Sequence, residues 1–455
     1  MGARGRCAVA VLLSAAVLAG CGDPSTGEDP SSSATTTTDV FQQQRTDGVN
    51  ALLGKLDKAL LRGGPTDLAP LLDASASPEF RRRLQVMQAN LSSAAPARPG
   101  NGPTRVRYRT FEHYLGAADA EELVPDSVAA RLSAQGSSDN WVTPVRLRFA
   151  LGGTGVPGLD EPDVEVDSPL VVARYDDDWK LVGDMTVLRR PAGGVGLWSF
   201  PGVRAAAAAT AGGQSVIASY PGAEESAARV AALLPGAVRA VSDFWGSTWP
   251  RRALVVATAT PEQFTALAAS GGADVSAAAA ATVYTTLDVP NHTVTGQRIV
   301  LTPAARDLSP ALLDVVLRHE LSHVAVRLAT RVDTPQWLAE GVPEYVGRKG
   351  TYTQFADAAP DLAAATRTGT PPAWPSDEDF TVDSARAALA YQSAWSIAAF
   401  VAQRYSEDVL RKLYLGVAGA VDDNAVTAAF GDSVGIGRAE LERQWQAWVR
   451  KQSGG

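Results

Sequence analysis

The residues of this chain best suited to chemistry are two histidines four apart with a glutamate directly after the first: His319-Glu320-Leu321-Ser322-His323. On a helix, that spacing projects both imidazoles from one face, so both can reach a single ion. Imidazole nitrogens are ligands that zinc accepts. Glu320 falls to the side of the pair, where it can take a proton from a water polarised by the ion. The chain has only 4 histidines, so the spacing carries information. The flanks predict the helix itself. Ser309 can cap it, with Pro310 in its first turn. Leu313, Leu317, Leu321, Val324 and Leu328 make an apolar stripe. Asp314, Arg318 and Ser322 make a narrow polar stripe, the expected solvent face. His319 and His323 lie on neither. They sit opposite Leu321, among Leu312, Val316 and Val326, and so face an interior or a cleft.

A third ligand is needed, and downstream runs Thr334-Pro335-Gln336-Trp337-Leu338-Ala339-Glu340-Gly341-Val342-Pro343-Glu344-Tyr345. With the histidine motif, this resembles the gluzincins, the clan of thermolysin and the zinc aminopeptidases. In that clan a Trp-Leu-x-Glu-Gly segment supplies the third zinc ligand. The resemblance implies one Zn2+ ion held by His319, His323 and Glu340, with Glu320 as the catalytic base. Glu344 stands where thermolysin-like enzymes place an acidic residue. The resemblance makes it the carboxylate that receives the second ring nitrogen of His319; a plain surface charge is the competing reading. Pro343 departs from the family pattern. A proline inside a helix removes a hydrogen bond, so either the helix starts close to it or it bends beside the metal. Ala390-Tyr391-Gln392-Ser393-Ala394-Trp395 resembles the Tyr-x-x-Gly/Ala segment of aminopeptidase-type gluzincins. That implies Tyr391 as the catalytic hydroxyl that holds the oxyanion, against the alternative of a buried helix tyrosine. In gluzincins the strand before the metal helix forms the lip of the cleft and pairs with extended substrate through its backbone; here that strand is Arg298–Leu301. Asp423-Asn424-Ala425-Val426, Phe430-Gly431 and Leu441-Glu442-Arg443-Gln444-Trp445 echo the closing helices of the short peptidase MA-like type.

The elements that must position these residues follow from patterning. At 455 residues, two domains are expected. Val49, Leu52, Leu53, Leu56 and Leu60 recur at helical spacing, and Pro78-Glu79-Phe80 opens a second helix. Strands follow at Val106–Arg109, Val145–Phe149, Leu170–Tyr175 and Trp179–Val182. Asp176-Asp177-Asp178 reads as a hairpin turn rather than a calcium loop, because it lacks spaced ligands. Residues 40–190 are thus an α+β domain resembling the cystatin-like folds in its order of elements. Residues 191–213, rich in Gly, Ala and Pro, read as a linker. Residues 214–450 read as a zincin-like domain, a small mixed sheet plus a helical lobe. Within it a helix runs from Glu224 to Trp245 with a break expected at Pro235-Gly236.

The N-terminus reads differently. Arg4 and Arg6 precede an apolar run from Cys7 to Leu18, the plan of an export signal and too short to span a bilayer. It ends in Leu18-Ala19-Gly20-Cys21, which resembles the bacterial lipobox. That implies a signal peptide over residues 1–20, lipidation of Cys21 and an extracytoplasmic, membrane-anchored protein of the cell envelope. Residues 21–39 read as a disordered tether. Cys7 and Cys21 are the only cysteines, so the exported chain is expected to lack an internal disulfide.

The net charge of −8 and the pI near 5.2 argue against nucleic acid as a partner. The function that fits is zinc-dependent hydrolysis of a peptide or protein substrate. The alternatives are an inactive peptidase-like binding module, or capture by the first domain with processing by the second. Substrate preference and oligomeric state are not legible.

Overall fold

The computed structural model describes residues 40–64, 66–92, 104–117, 122–152, 161–268, 279–380 and 385–454. The expected export signal, the tether and Cys21 lie outside the described residues. Among those described, no helix is long and apolar enough to cross a membrane.

The first domain packs helices α1 (Val40–Arg62) and α2 (Pro78–Leu91) on strands β1 (Tyr108–Leu115), β2 (Asp139–Thr143), β3 (Val145–Leu151), β4 (Val164–Asp167), β5 (Leu170–Tyr175) and β6 (Asp178–Asp184), with α3 (Asp126–Ala134) between β1 and β2. The apolar stripe of α1, Val49 through Leu60, is buried against Leu147, Val172 and Leu181. Ser77 caps α2 by accepting from the Phe80 amide at 3.1 Å. The strands form two triplets, β1-β3-β4 and β2-β5-β6. Thr143 faces Leu170 and Arg146 faces Asp167, so one antiparallel register runs through both. They are halves of one bent hairpin. Pro144 and Pro169 sit at the bend, where a residue without an N–H is tolerated. The β5–β6 turn is the hairpin expected at the aspartates, with Asp176 at φ 52°.

The second domain has a five-stranded sheet in the order β10-β13-β9-β8-β7. Its strands are β7 (Arg204–Thr210), β8 (Gly213–Ser219), β9 (Leu254–Ala257), β10 (Ala280–Val283) and β13 (Arg298–Leu301). β13, β9 and β8 run parallel, while β10 and β7 flank them antiparallel. Helix α4 (Glu224–Trp245) lies on one face, against Ile217, Val255 and Ile299. Alternate residues Val216, Leu254 and Val300 point to the other face. There they meet α5 (Pro261–Ala268) and the first domain's Val106 and Leu151. A small hairpin, β11 (Thr286–Asp288) with β12 (Thr293–Thr295), separates β10 from β13. The helical lobe follows: α6 (Pro310–Val326), α7 (Gln336–Ala339), α8 (Gly341–Arg348), α9 (Phe355–Ala358), α10 (Pro360–Arg367), α11 (Ala385–Arg404), α12 (Glu407–Ala418), α13 (Asp423–Val434) and α14 (Arg438–Gln452). The chain is therefore α+β, with small sheets and a helical C-terminal lobe.

Three sequence expectations change. Residues 191–213 do not merely link. Their Arg204–Thr210 stretch is edge strand β7, and Ala205 exchanges backbone hydrogen bonds with Thr104 of the first domain, both 2.7 Å. Alanine-rich composition hid a strand whose Ala205 and Ala208 are buried. Helix α4 runs unbroken through Pro235. Burial of Val230, Leu234, Val238 and Val241 contributes about 1.5–3 kcal/mol per side chain, which outweighs a cost of roughly 3 kcal/mol for an internal proline. Finally, Arg298–Leu301 is not the lip of the sheet. It is interior β13, and among the described residues the outer strand is β10. The sequence of β10, Ala-Ala-Thr-Val, carries too weak a strand pattern to have been recognised.

Candidate metal centre

Helix α6 begins as its sequence dictates. Ser309 accepts from the Leu312 amide at 3.3 Å, and Pro310 occupies the first turn. Leu313, Leu317, Leu321 and Val324 face the core. The polar stripe is not the solvent face. Ser322 is fully buried and donates to the Arg318 carbonyl at 2.8 Å. Arg318 pairs with Asp314 and donates to the Lys349 carbonyl at 3.0 Å. The stripe is thus covered by the end of α8 and, apart from Arg318 Nε, hydrogen-bonded within the protein. Leu312, assigned to the histidine side, lines a cleft and is 41% exposed.

Glu340 is delivered by a break between two helices. α7 ends before it, α8 starts after it, and Glu340 sits between at φ −100°, ψ −38°. Pro343 is the third residue of α8, where the amide has no intrahelical acceptor to lose. A break, not a bend, resolves the proline. Two glycines let α8 lie between its neighbours. A Cβ on Gly341 would stand 2.6 Å from the Ala394 carbonyl oxygen of α11, and one on Gly347 would stand 2.8 Å from the Val315 carbonyl oxygen of α6. The Gly of the Trp-Leu-x-Glu-Gly segment is a packing requirement.

The donors converge. His319 Nε2 and His323 Nε2 are 3.1 Å apart, and Glu340 Oε2 is 3.4 Å from the first and 3.7 Å from the second. Ligands about 2.0–2.1 Å from a tetrahedral zinc stand roughly 3.3–3.4 Å from one another. The triangle brackets that separation, and its two imidazoles and one carboxylate are a donor set zinc accepts. The residues fit the ion. Glu344 Oε1 lies 3.6 Å from His319 Nδ1, and its other oxygen accepts from Arg348 Nε at 2.6 Å. Arg348 also donates to the Ala358 carbonyl and lies over the Trp395 ring.

Burial and charge oppose one another in this cluster. Burial depresses both imidazoles, but the contact with Glu340 and the charges of Glu344 and Glu320 outweigh it at His319, which is pushed up to about 9. At His323 burial prevails, helped by His319, and the pKa falls. Burial alone would raise Glu340, yet the two histidines hold it below the usual carboxylate range.

His319, Glu320, Glu340, Glu344 and Tyr391 line one cleft of about 450 Å³ together with the apolar Ala280, Leu312 and Val316. Glu320 is buried at the cleft and accepts from the Thr282 hydroxyl at 2.6 Å. Tyr391 projects from α11 and packs edge-on against Phe380 at 5.0 Å. His113 and His292 are elsewhere. His113 pairs with Asp57 at 2.5 Å, and His292 sits in the β11–β12 turn at φ 52°. Sequence reasoning missed Thr282 and Arg348. Arg348 was findable, four residues after Glu344 on one helix. Thr282 was not, being set in a run of alanines.

Residues 306–451 match the family model described as Peptidase MA superfamily. No curated protein matches the chain. Among solved structures, a two-domain M1 zinc metallopeptidase in an alanine mutant bound to L-arginine aligns with TM-score 0.31 and 15% identity, over 65% of this chain and 60% of that one. The M1 zinc metallopeptidase of Deinococcus radiodurans aligns as a mutant bound to a Tyr-Ser-Ala substrate at 0.31 and 14%, over 68% and 61%. It aligns without that peptide at 0.33 and 14%, over 68% and 62%. The chain thus spans about three-fifths of the length of these structures. The helices that carry the donor triangle fall inside the stretch that matches the Peptidase MA superfamily model, residues 306–451.

Proposed function

We propose that this protein is a zinc-dependent metallopeptidase that hydrolyses peptide bonds in the cleft beside His319. The observation that carries the reading is the triangle of His319, His323 and Glu340 at ligand separation, with the Glu320 carboxylate next to it in the same cleft. Zinc bound there supplies Lewis acidity, which brings water ionisation toward neutral pH and polarises a carbonyl. The protein's own groups do the rest. Glu320 takes the proton from the attacking water and passes it to the leaving amine. The Tyr391 hydroxyl donates to the oxygen of the tetrahedral intermediate. Glu344, gripped by Arg348, orients the His319 ring through Nδ1. Among the described residues β10 has no strand on its outer side, so its backbone can pair with extended substrate whatever the side chains.

The deciding experiment is Glu320→Gln. Stoichiometric zinc is expected to remain while hydrolysis of a peptide library falls by about 10²–10⁴-fold. Undiminished hydrolysis would sink the mechanism, and a wild-type protein that binds zinc without cleaving any peptide would favour a binding module.

We further propose that the protein works outside the cytoplasm, held to the membrane by lipid on Cys21. Support comes from the basic start, the short apolar run and Leu18-Ala19-Gly20-Cys21. Cys21→Ser is expected to move the protein from the membrane fraction to the soluble fraction. Unchanged partitioning would remove the anchor.

A further inference from the structure

The catalytic carboxylate is held from a direction that the motif does not disclose. In β10, Ala280 packs in the core that includes Leu317 and Leu321 of α6, whereas Ala281 and Val283 face the opposite layer. Thr282 shares the face of Ala280 and points at α6. Its hydroxyl lies 2.6 Å from Glu320 Oε2 and 3.1 Å from the Glu320 carbonyl oxygen. A hydroxyl has one proton to give, and the charged acceptor at the shorter distance takes it. Thr282 is 4% exposed and Glu320 7%, so water does not compete freely for this bond. Glu320 Oε1 makes no hydrogen bond among the described residues. One carboxylate oxygen is therefore tied to the sheet, and the other is left for the cleft.

From this geometry, and resting on the peptidase reading above, we infer that Thr282 is a positioning residue for Glu320, and that edge strand β10 sets the base and the substrate in one register. The backbone of β10 carries the substrate's backbone along its outer edge. The side chain of its Thr282 fixes the carboxylate that must meet the water at the scissile carbonyl. Both are parts of one four-residue strand braced by β13 through Ala281 opposite Val300 and Thr282 opposite Ile299. Substrate and base therefore cannot drift independently. Near-attack geometry tolerates errors well under 1 Å, and a rigid strand supplies that tolerance better than a loop.

The test compares Thr282→Val, which keeps the shape and removes the hydroxyl, with Thr282→Ser, which keeps the hydroxyl. In the zinc-loaded protein, Thr282→Val is expected to lower kcat about 10–100-fold, with KM within roughly twofold and zinc content unchanged. Thr282→Ser is expected to stay within about threefold of wild type. A second readout needs neither metal nor activity. In metal-free protein, Thr282→Val strands a buried carboxylate oxygen and is expected to lower Tm by a few °C. In a Glu320→Met background, which has no carboxylate to strand, it is expected to lower Tm by less than about 1 °C. Equal Tm losses in both backgrounds would make the hydroxyl merely structural and overturn the inference. So would a Thr282→Val enzyme as fast as wild type where Glu320→Gln is dead, an outcome that leaves the peptidase reading standing. If wild type itself cleaves nothing, it is the peptidase reading that falls, and the catalytic inference with it, even where the Tm coupling is found.

Discussion

Two regions of this molecule bury histidine against carboxylate, and they are built on opposite plans. In the first domain, His113 of β1 meets Asp57 of α1. One carboxylate oxygen lies 2.5 Å from His113 Nδ1 and the other accepts the His113 backbone amide at 2.9 Å. Both oxygens are spent on one residue, and the pair is closed. In the second domain, four contacts among His319, His323, Glu340 and Glu344 span 3.1–3.7 Å. Burial does not separate the regions, since the side chains of His113 and His319 are 4% and 14% exposed. Saturation does. A structural pair is short and self-sufficient. In the second cluster the His319, His323 and Glu340 donor atoms instead stand at the separation that ligands of one zinc ion would have, beside a cleft.

The largest expected effect tests that contrast directly. His319→Ala or His323→Ala should abolish stoichiometric zinc, and hydrolysis with it, by about 10³-fold or more. Without metal, His323→Ala should cost no more than about 1 kcal/mol, because it removes a group whose charge burial penalises, whereas His319→Ala also gives up the stabilisation of an imidazole that Glu340, Glu344 and Glu320 hold protonated. His113→Ala should do the reverse. Zinc and activity stay, while stability falls by about 1–3 kcal/mol as Asp57 loses its partner. Metal analysis and urea unfolding of the three variants decide it. Loss of zinc in His113→Ala would erase the distinction between the regions.

Next in size is the response to pH. In the metal-free protein His319 is pushed up to about 9, while burial depresses His323. Zinc requires both imidazoles neutral, so at pH 7 it must expel about one proton, from His319. Affinity should therefore fall about tenfold per pH unit as pH drops from 8 to 6. The sign for stability follows from the same shift. A raised histidine stabilises the metal-free fold fully below its unfolded value near 6.5, and that contribution is lost as pH rises through about 9. Calorimetry in buffers of different ionisation enthalpy counts the proton. An affinity that is flat between pH 6 and 8 would show that the cluster is already proton-free, as ligand-ready as a preformed cage.

How much of this was legible depends on how local the signal is. The helix of His319 and His323 could be read from its cap, its stripe and its spacing, all on or directly beside one 17-residue helix. Glu340 needed the resemblance, because a helix break and a turn in the chain separate it from the histidines. The solvent face was misread because Asp314, Arg318 and Ser322 look polar in sequence yet satisfy one another and the Lys349 carbonyl. The lip strand was misassigned because sheet order is a tertiary fact. The pattern at 298–301 shows a strand but not whether another lies outside it. Thr282 acts across 38 residues of sequence, which no periodicity records.

The smallest expected effect concerns what the open cluster needs and the closed pair does not, a broken helix. His113 and Asp57 hang from a regular strand and a regular helix. Glu340 sits at the break between α7 and α8, and Pro343 follows it by three residues. If the proline forces the break, Pro343→Ala should fuse the helices, swing Glu340 and release zinc. The close packing at Gly341 and Gly347 argues otherwise. Both pin α8 to its neighbours whether or not residue 343 can donate a hydrogen bond. The first-turn position of Pro343 means that alanine gains an amide with no helical acceptor. Pro343→Ala should therefore change stability by less than about 1 kcal/mol, through the unfolded chain, and leave zinc content at wild-type level. Weakened zinc in that variant would mean that backbone chemistry at one residue, and not interhelix packing, aims the third ligand.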